Sequence, residues 1–433
     1  MIGRRSFLTL GAASVSATLA QTTPPQAPAQ TAAAAPPASP FTDPDFGFVA
    51  LSVLGGAYSH GADPGKVLAI VSRIKPGDFE SAFAAYHEAG VEAQARADQA
   101  LAGRHKVSAR EAYLWAANYF HFAVRFLDGT NDPERALPCW KQYAACWSAA
   151  AALFEPAAER IEIPYENAAL TAWLFRADGS GRRRPLVILN TGADGQESRT
   201  YALGGAGALA RGFHCLILNG PGQSDSLWSR KLYFRPDWEK VIGPVCDAMV
   251  KRPDVDAKRM ALVGASMGGY WVPRALAFEK RIAAGVADPG VWDVSAPFLE
   301  HAPQFLRSML RDGKKAAFDQ VLEMGIAKDP RNRMMMRFRM RPFGFTSYYD
   351  LFTAVQAYNL ADVAGRIACP MLITDPEGEQ FFPGQAQKLY DALECPKKLI
   401  RFTHEEGAGE HCEVAAPGLR DCAIYDWLEE TLA

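Results

Sequence analysis

A chain of 433 residues with 49% hydrophobic and 22% charged side chains is long enough to bury one large core plus an accessory one. Its 46 Lys and Arg nearly balance 48 Asp and Glu, a formal charge of −2 that gives no sign of a nucleic-acid or anionic-membrane partner. Eight cysteines form neither a C-x-x-C pair nor a zinc spacing, so the pattern offers no metal site.

Residues 1–20, MIGRRSFLTLGAASVSATLA, place Arg4 and Arg5 before a run of apolar and small residues with a small-residue end. The run is too short to span a bilayer and reads as a twin-arginine export signal cleaved near Ala17 or Ala20, predicting a periplasmic or secreted protein. Residues 21–45 are rich in Ala, Pro, Gln and Thr without a periodic apolar face, the composition of a flexible tether. From 46 to 157 the periodicity is helical. The capping-box pattern SARE (108–111) is expected to open the helix AYLWAANYFHFAVRFL, and a second helix is expected over 136–154.

At Arg160 the pattern changes. IEIPY (161–165) and LTAWLF (170–175) read as an antiparallel pair followed by a basic turn at 178–184. Apolar runs at 185–189, 215–218, 260–263, 283–287, 370–373 and 398–402 then alternate with helical segments. Strands without polar alternation are covered on both faces, so residues 158–433 are predicted to form an α/β domain with a doubly wound, mainly parallel sheet. Residues 296–362 are too long for a connection and helical in pattern, with helices expected over 298–310, 314–324 and 348–360. An insertion after the sixth strand lies above the carboxyl ends of the sheet, where open α/β sheets bind ligands, and so reads as a cap. Within it RNRMMMRFRMR (331–341) reads as a domain seam or solvated helix face sooner than a grip on an anionic substrate.

The chemistry centres on VGASMGG (263–269), directly after the apolar run MALV. With 36 glycines in the chain, G-x-S-x-G arises by chance in roughly one such sequence in eight, so its setting decides. A strand before and a helix after make Ser266 a nucleophile-elbow serine, with Gly264 and Gly268 where a Cβ would obstruct strand and helix. A serine needs a base, and the base an orienting acid. His411, in the glycine-rich loop GAGEH after the last strand, is the candidate base; His404 lies too close to the strand end. On the loop DPEGEQFFP (375–383), Glu379 has the right offset for the acid, with Asp375 and Glu377 as rivals. The oxyanion donors expected are the amide of Met267 and, from NTGADG (190–195), that of Ala193 with Gly192 next. NGPGQS (219–224) lacks G-x-G-x-x-G and reads as a tight turn, so no cofactor is called for.

Together NTGADG, NGPGQSDS, VGASMGGYWVPRA, EQFFPGQ and EGAGEHCE, with GDFESAF and SAREAYLWAANYF upstream, resemble the α/β-hydrolases. The likeness runs from about residue 61 to the end. It is narrower for the subgroup with an N-terminal helical lid that includes 2,6-dihydroxypseudooxynicotine hydrolase and fungal polyketide-shortening hydrolases. The resemblance implies that 46–157 is such a lid and that Ser266, His411 and Glu379 are the triad. Glutamate replaces the commoner aspartate at the acid position, which keeps Asp375 open. Subgroup chemistry includes carbon–carbon cleavage beside an aryl ketone, while related sequences look like esterases or peptidases. The expectation is an exported serine hydrolase acting on an ester or acyl bond of a small molecule. Its alternatives are a carbon–carbon hydrolase, an amidase or a binding protein on a hydrolase scaffold. The partners called for are the substrate and the twin-arginine export machinery, with a homodimer open because the sequence does not give the oligomeric state.

Overall fold

The computed structural model describes residues 43–300 and 302–433. The leader and most of the tether lie outside the described residues, and the last two tether positions already belong to a helix that begins at Pro44. Among the described residues no helix is long and apolar enough to cross a membrane. All eight cysteines are free thiols, six of them buried.

Among the described residues, five α-helices precede the sheet: α1 (Pro44–Gly55), α2 (Pro64–Val71), α3 (Phe79–Ala102), α4 (Lys106–Leu127) and α5 (Ala136–Ala152). Asp78 caps α3, its carboxylate accepting from the amides of Glu80 at 3.0 Å and Ser81 at 3.1 Å. The capping-box expectation for α4 fails. The chain reverses at Arg104, with φ +63°, and α4 starts at once behind His105, so Ser108 falls inside the first turn instead of before it. α4 is buried on several faces, with Ala116, Phe120, Ala123 and Leu127 almost inaccessible to solvent.

Among the described residues, eight strands form one sheet in the order β1-β2-β4-β3-β5-β6-β7-β8. They are β1 (Glu159–Tyr165), β2 (Ala168–Phe175), β3 (Arg184–Asn190), β4 (His214–Asn219), β5 (Val255–Ala265), β6 (Ala284–Asp288), β7 (Met371–Pro376) and β8 (Lys397–Phe402). β1 and β2 pair antiparallel, β2 pairs antiparallel with β4, and β4 through β8 run parallel. β4 is buried along its whole length, as an apolar strand covered on both faces must be, whereas edge strand β1 alternates half-buried and exposed positions at its start. Chain order reverses at β3, whose two neighbours are β4 and β5. That reversal opens a crevice at the carboxyl ends, between the loops that follow β3 and β5.

The insertion between β6 and β7 is helical, and it is more broken than its periodicity implies. The stretch 298–310 is two helices, Ala296–Leu299 and Gln304–Arg311, separated at Pro303, which has an extended ψ of 148°. The helix from Tyr348 stops at Ala354 and tightens into a 3₁₀ turn, Val355–Ala357. The arginine-rich run lies in the helix Pro330–Phe343 and is the seam with the N-terminal helices. Arg341 forks onto the fully buried carboxylate of Asp128, one contact being 3.0 Å, and Arg337 donates to the carbonyls of Asp128 and Thr130 at 3.1 Å each. Arg331 pairs with Asp43. Burial pushes the Asp128 carboxyl up while Arg341 opposes it. Removing that partner strands a charge in the seam, so Arg341→Gln is expected to cost about 3 kcal/mol in urea unfolding. A loss under about 1 kcal/mol contradicts the assignment of the seam.

Candidate active site

β5 ends at Ala265 and the helix Gly268–Leu276 begins three residues on. Between them Ser266 adopts φ +58°, a left-handed conformation that serine keeps only under constraint. Close backbone approach supplies it. A Cβ on Gly264 would lie 2.3 Å from the carbonyl oxygen of Gly268, and one on Gly268 would lie 2.4 Å from that of Asn190. The Ser266 amide donates to the carbonyl of Asp288, at the end of β6, over 2.6 Å.

His411 sits between β8 and the C-terminal helix Pro417–Thr431. Its Nε2 stands 2.9 Å from Ser266 Oγ and its Nδ1 2.6 Å from Glu379 Oε2. The side chains of His411 and Glu379 are each 6% exposed. Glu379 Oε1 accepts from the amides of Phe381 at 2.7 Å and Phe382 at 2.9 Å, which leaves Oε2 for the imidazole. An Nδ1–H held by a carboxylate leaves Nε2 unprotonated, the tautomer in which it can accept from a hydroxyl. Rings of Phe48 in α1, Phe381 and Phe382 lie 6.4, 4.6 and 6.4 Å from the imidazole.

The neighbouring carboxylates are engaged elsewhere. Burial raises the Asp375 pKa, and the group pairs at 3.0 Å with Arg401 on β8. Glu377 accepts the amide of His404 at 3.0 Å, and the His404 ring lies against the backbone of Gly378 and Gly409.

Asn190 is in register with Gly264 across β3 and β5, so loop 190–195 runs beside the elbow. A Cβ on Gly192 would lie 2.8 Å from the Met267 amide nitrogen and 2.8 Å from Ser266 Oγ. Met267 and Gly192 thus border the hydroxyl together. The loop is braced by Gln223, whose Nε2 donates to the carbonyls of Thr191 at 2.7 Å and Gly192 at 2.8 Å while its Oε1 accepts from the Gly220 amide at 3.0 Å. Gln223 lies in the stretch read as a mere tight turn. Its reach to a second loop has no local sequence signal.

The N-terminal helices grip the same loop and the residues after it. Arg125 pairs with Asp194 at 2.9 Å, Trp140 Nε1 donates to Gln196 at 3.3 Å, and the Tyr143 hydroxyl donates to Glu197 at 2.6 Å. Arg199 returns the contact, donating to the carbonyl of Ser52 in α1 at 3.0 Å.

Two buried groups near the site titrate in opposite senses. Burial pushes the His121 imidazole down to about 4, opposed by Asp194 and aided by Arg199 and Arg125. Burial pushes Asp421 up to about 6 against Arg420 and Arg211. The neutral His121 contributes stability above its unfolded value near 6.5, and this is lost as pH falls toward 4. Protonated Asp421 contributes stability below its unfolded value near 3.8, and this is lost as pH rises through 6. The two slopes oppose each other between pH 4 and 6. Relative to wild type, His121→Gln is expected to gain about 3 kcal/mol of unfolding free energy on going from pH 7 to 4. Asp421→Asn is expected to gain about 3 kcal/mol on going from pH 4 to 7. Parallel stability curves for all three proteins contradict both assignments.

The comparisons with known proteins agree with this architecture. The chain is 31% identical over 407 residues to "Hydrolase LUC6" of a Fusarium species, covering 89% of this chain and 96% of the relative. It is 32% identical over 353 residues to "Alpha/beta hydrolase gkaG" of Penicillium citrinum, covering 76% and 81%. The chain belongs to the α/β-hydrolases. The hydrolase superposes on the crystal structure of the 2,6-dihydroxy-pseudo-oxynicotine hydrolase with a TM-score of 0.69 at 20% identity, over 88% of this chain and 95% of the other. It also superposes on wild-type AbyA5 with a TM-score of 0.61 at 18% identity, over 89% and 95%. At these identities the superpositions show a shared fold. No family model matches the hydrolase.

Proposed function

We propose that the protein is an exported, cofactor-independent serine hydrolase that cleaves an ester or acyl bond of a small organic molecule held between sheet and N-terminal lid. The observation that carries this reading is the unbroken relay from Ser266 Oγ through His411 to Glu379. Ser266 attacks the carbonyl, His411 takes its proton and delivers it to the leaving group, and Glu379 orients the imidazole and stabilises its charged form. The amides of Met267 and Ala193 receive the oxyanion, with Gly192 keeping the approach open, and water then releases the acyl group by the same route. A fluorophosphonate probe is expected to label the wild type and leave Ser266→Ala unlabelled. A wild type that stays unlabelled favours a binding protein on this scaffold and sinks the proposal.

A second reading, hydrolysis of a carbon–carbon bond beside an aryl ketone, draws support from the phenylalanines around His411. Product analysis separates the two. Turnover of phenyl esters alone supports the first, and cleavage of acyl-phenols with silent esters replaces it.

Export rests on Arg4 and Arg5 ahead of the short apolar run. Changing both to lysine is expected to lower the activity released from the periplasm by about tenfold and to leave full-length precursor in the cells. Normal processing of that double variant counts against the twin-arginine route.

A further inference from the structure

Ser266, Cys412 and Glu413 all carry positive φ, at +58°, +56° and +48°, and Cys412 lies against the Ser266 backbone. Such non-glycine conformations persist only where the surroundings hold them. Here the holding point is one carbonyl. Asp288 O accepts the Ser266 amide at 2.6 Å and the Cys412 thiol at 3.3 Å, and the Cys412 sulfur itself lies 3.1 Å from the Ser266 nitrogen. The residue after His411 and the residue proposed as nucleophile are therefore tied to the same oxygen.

The Asp288 side chain is fixed at both ends. Thr374 Oγ1 donates to Oδ1 at 2.8 Å, and Arg420 Nε donates to Oδ2 at 2.5 Å from the C-terminal helix. Arg420 also donates to Asp421 at 3.3 Å, and Glu413 Oε2 lies 3.8 Å from its Nε. The side chains of Arg420, Asp288, Glu413 and Asp421 are all fully buried. Glu413 lies against Asp288, and burial beside that carboxylate pushes its own carboxyl well above the usual range. A buried ion pair is a poor source of net stability because desolvation offsets its attraction. What it supplies is direction, since a carboxylate held at both oxygens cannot turn.

We infer that Arg420 and Asp288 are positioning residues that set the Ser266 to His411 geometry by anchoring the carbonyl shared by the elbow and the histidine loop. The inference rests on the proposed triad. Neither residue meets the substrate. Both act through the backbone of Ser266 and Cys412.

The test uses the full chain, 4-nitrophenyl acetate as substrate and an alkyl fluorophosphonate as probe. In Arg420→Gln and Asp288→Asn, kcat and the inactivation rate are expected to fall by about thirtyfold or more while KM stays within about threefold, because misplacement weakens the transition state and leaves ground-state binding intact. Arg420→Lys restores a charged donor and is expected to regain at least about fivefold of that loss. Thr374→Val removes one hydrogen bond to Asp288 and keeps the shape, with kcat expected to fall by about threefold or more.

A folded Arg420→Gln with unchanged kcat overturns the inference. Where that variant does not fold, unchanged kcat in Thr374→Val overturns it. So does a failure of Arg420→Lys to recover, if thermal stability falls in step with the rate. Ser266→Ala and His411→Ala run alongside. Should either keep full rate, the triad reading fails; should both be dead while the Arg420 and Asp288 variants are normal, only this inference fails.

Discussion

Replacing His411 with alanine is expected to lower kcat by about 10,000-fold, and the Ser266→Ala, His411→Ala double variant is expected to be no worse than the poorer single one. The two groups act as one unit, because a hydroxyl 2.9 Å from an imidazole that cannot take its proton is as inert as no hydroxyl at all. Glu379→Gln is expected to cost nearly as much for a different reason. The side-chain carbonyl would keep the two backbone amides of Phe381 and Phe382, leaving the new amide group to face Nδ1. Nδ1 must then accept, which moves the imidazole proton to Nε2 and disables the base. Asp375→Asn removes only a pair with the largely exposed Arg401, so kcat is expected to stay within about threefold. Steady-state kinetics on the double variant, its two parents, Glu379→Gln and Asp375→Asn checks this. Loss of turnover in Asp375→Asn with a near-silent Glu379→Gln would falsify the assignment of the acid.

The parts of this molecule that could be read from sequence are those whose cause is local. Apolar runs such as CLIL and MALV mark strands covered on both faces, because burial acts on each residue where it stands. Ser266 can be named from its own neighbours, since the glycines two residues either side are the ones whose missing Cβ atoms permit the turn. His411 and Glu379 follow from their offsets after two strands, and the structure brings both to within hydrogen-bonding distance of their partners. What escaped the sequence depends on pairs distant along the chain. Arg341 meets Asp128 across 213 positions, and Gln223 braces a loop 31 positions upstream. Phe48 stands beside the imidazole only because α1 docks there. The SARE pattern misled for the converse reason. A genuine local capping preference was overridden by the reversal at Arg104, which fixes where α4 begins.

Adding a single methyl group at Gly192 is expected to lower kcat by about 100-fold to 1,000-fold without unfolding the protein. Gly192 is not among the positive-φ residues, so alanine meets no left-handed backbone strain there. The conflict is one of space. The new Cβ would stand 2.6 Å from Ser266 Cβ and 2.8 Å from both Ser266 Oγ and the Met267 nitrogen, the last two being the atoms proposed to face the substrate carbonyl. None of them can retreat cheaply. Ser266 is held by the Asp288 carbonyl behind it, and the loop bearing Gly192 is held by Gln223 through the carbonyls of Thr191 and Gly192. Any relief therefore widens the gap between the two proposed oxyanion donors, and stabilisation of the tetrahedral intermediate falls with that distance. Gly179→Ala provides the control, since a Cβ there has nothing within 4 Å. The decisive comparison is kcat against KM in the two variants, with thermal unfolding recorded for each. If Gly192→Ala turns over ester as fast as Gly179→Ala, the 192–193 backbone does not contribute to the oxyanion site, and the second donor must come from another element bordering Ser266.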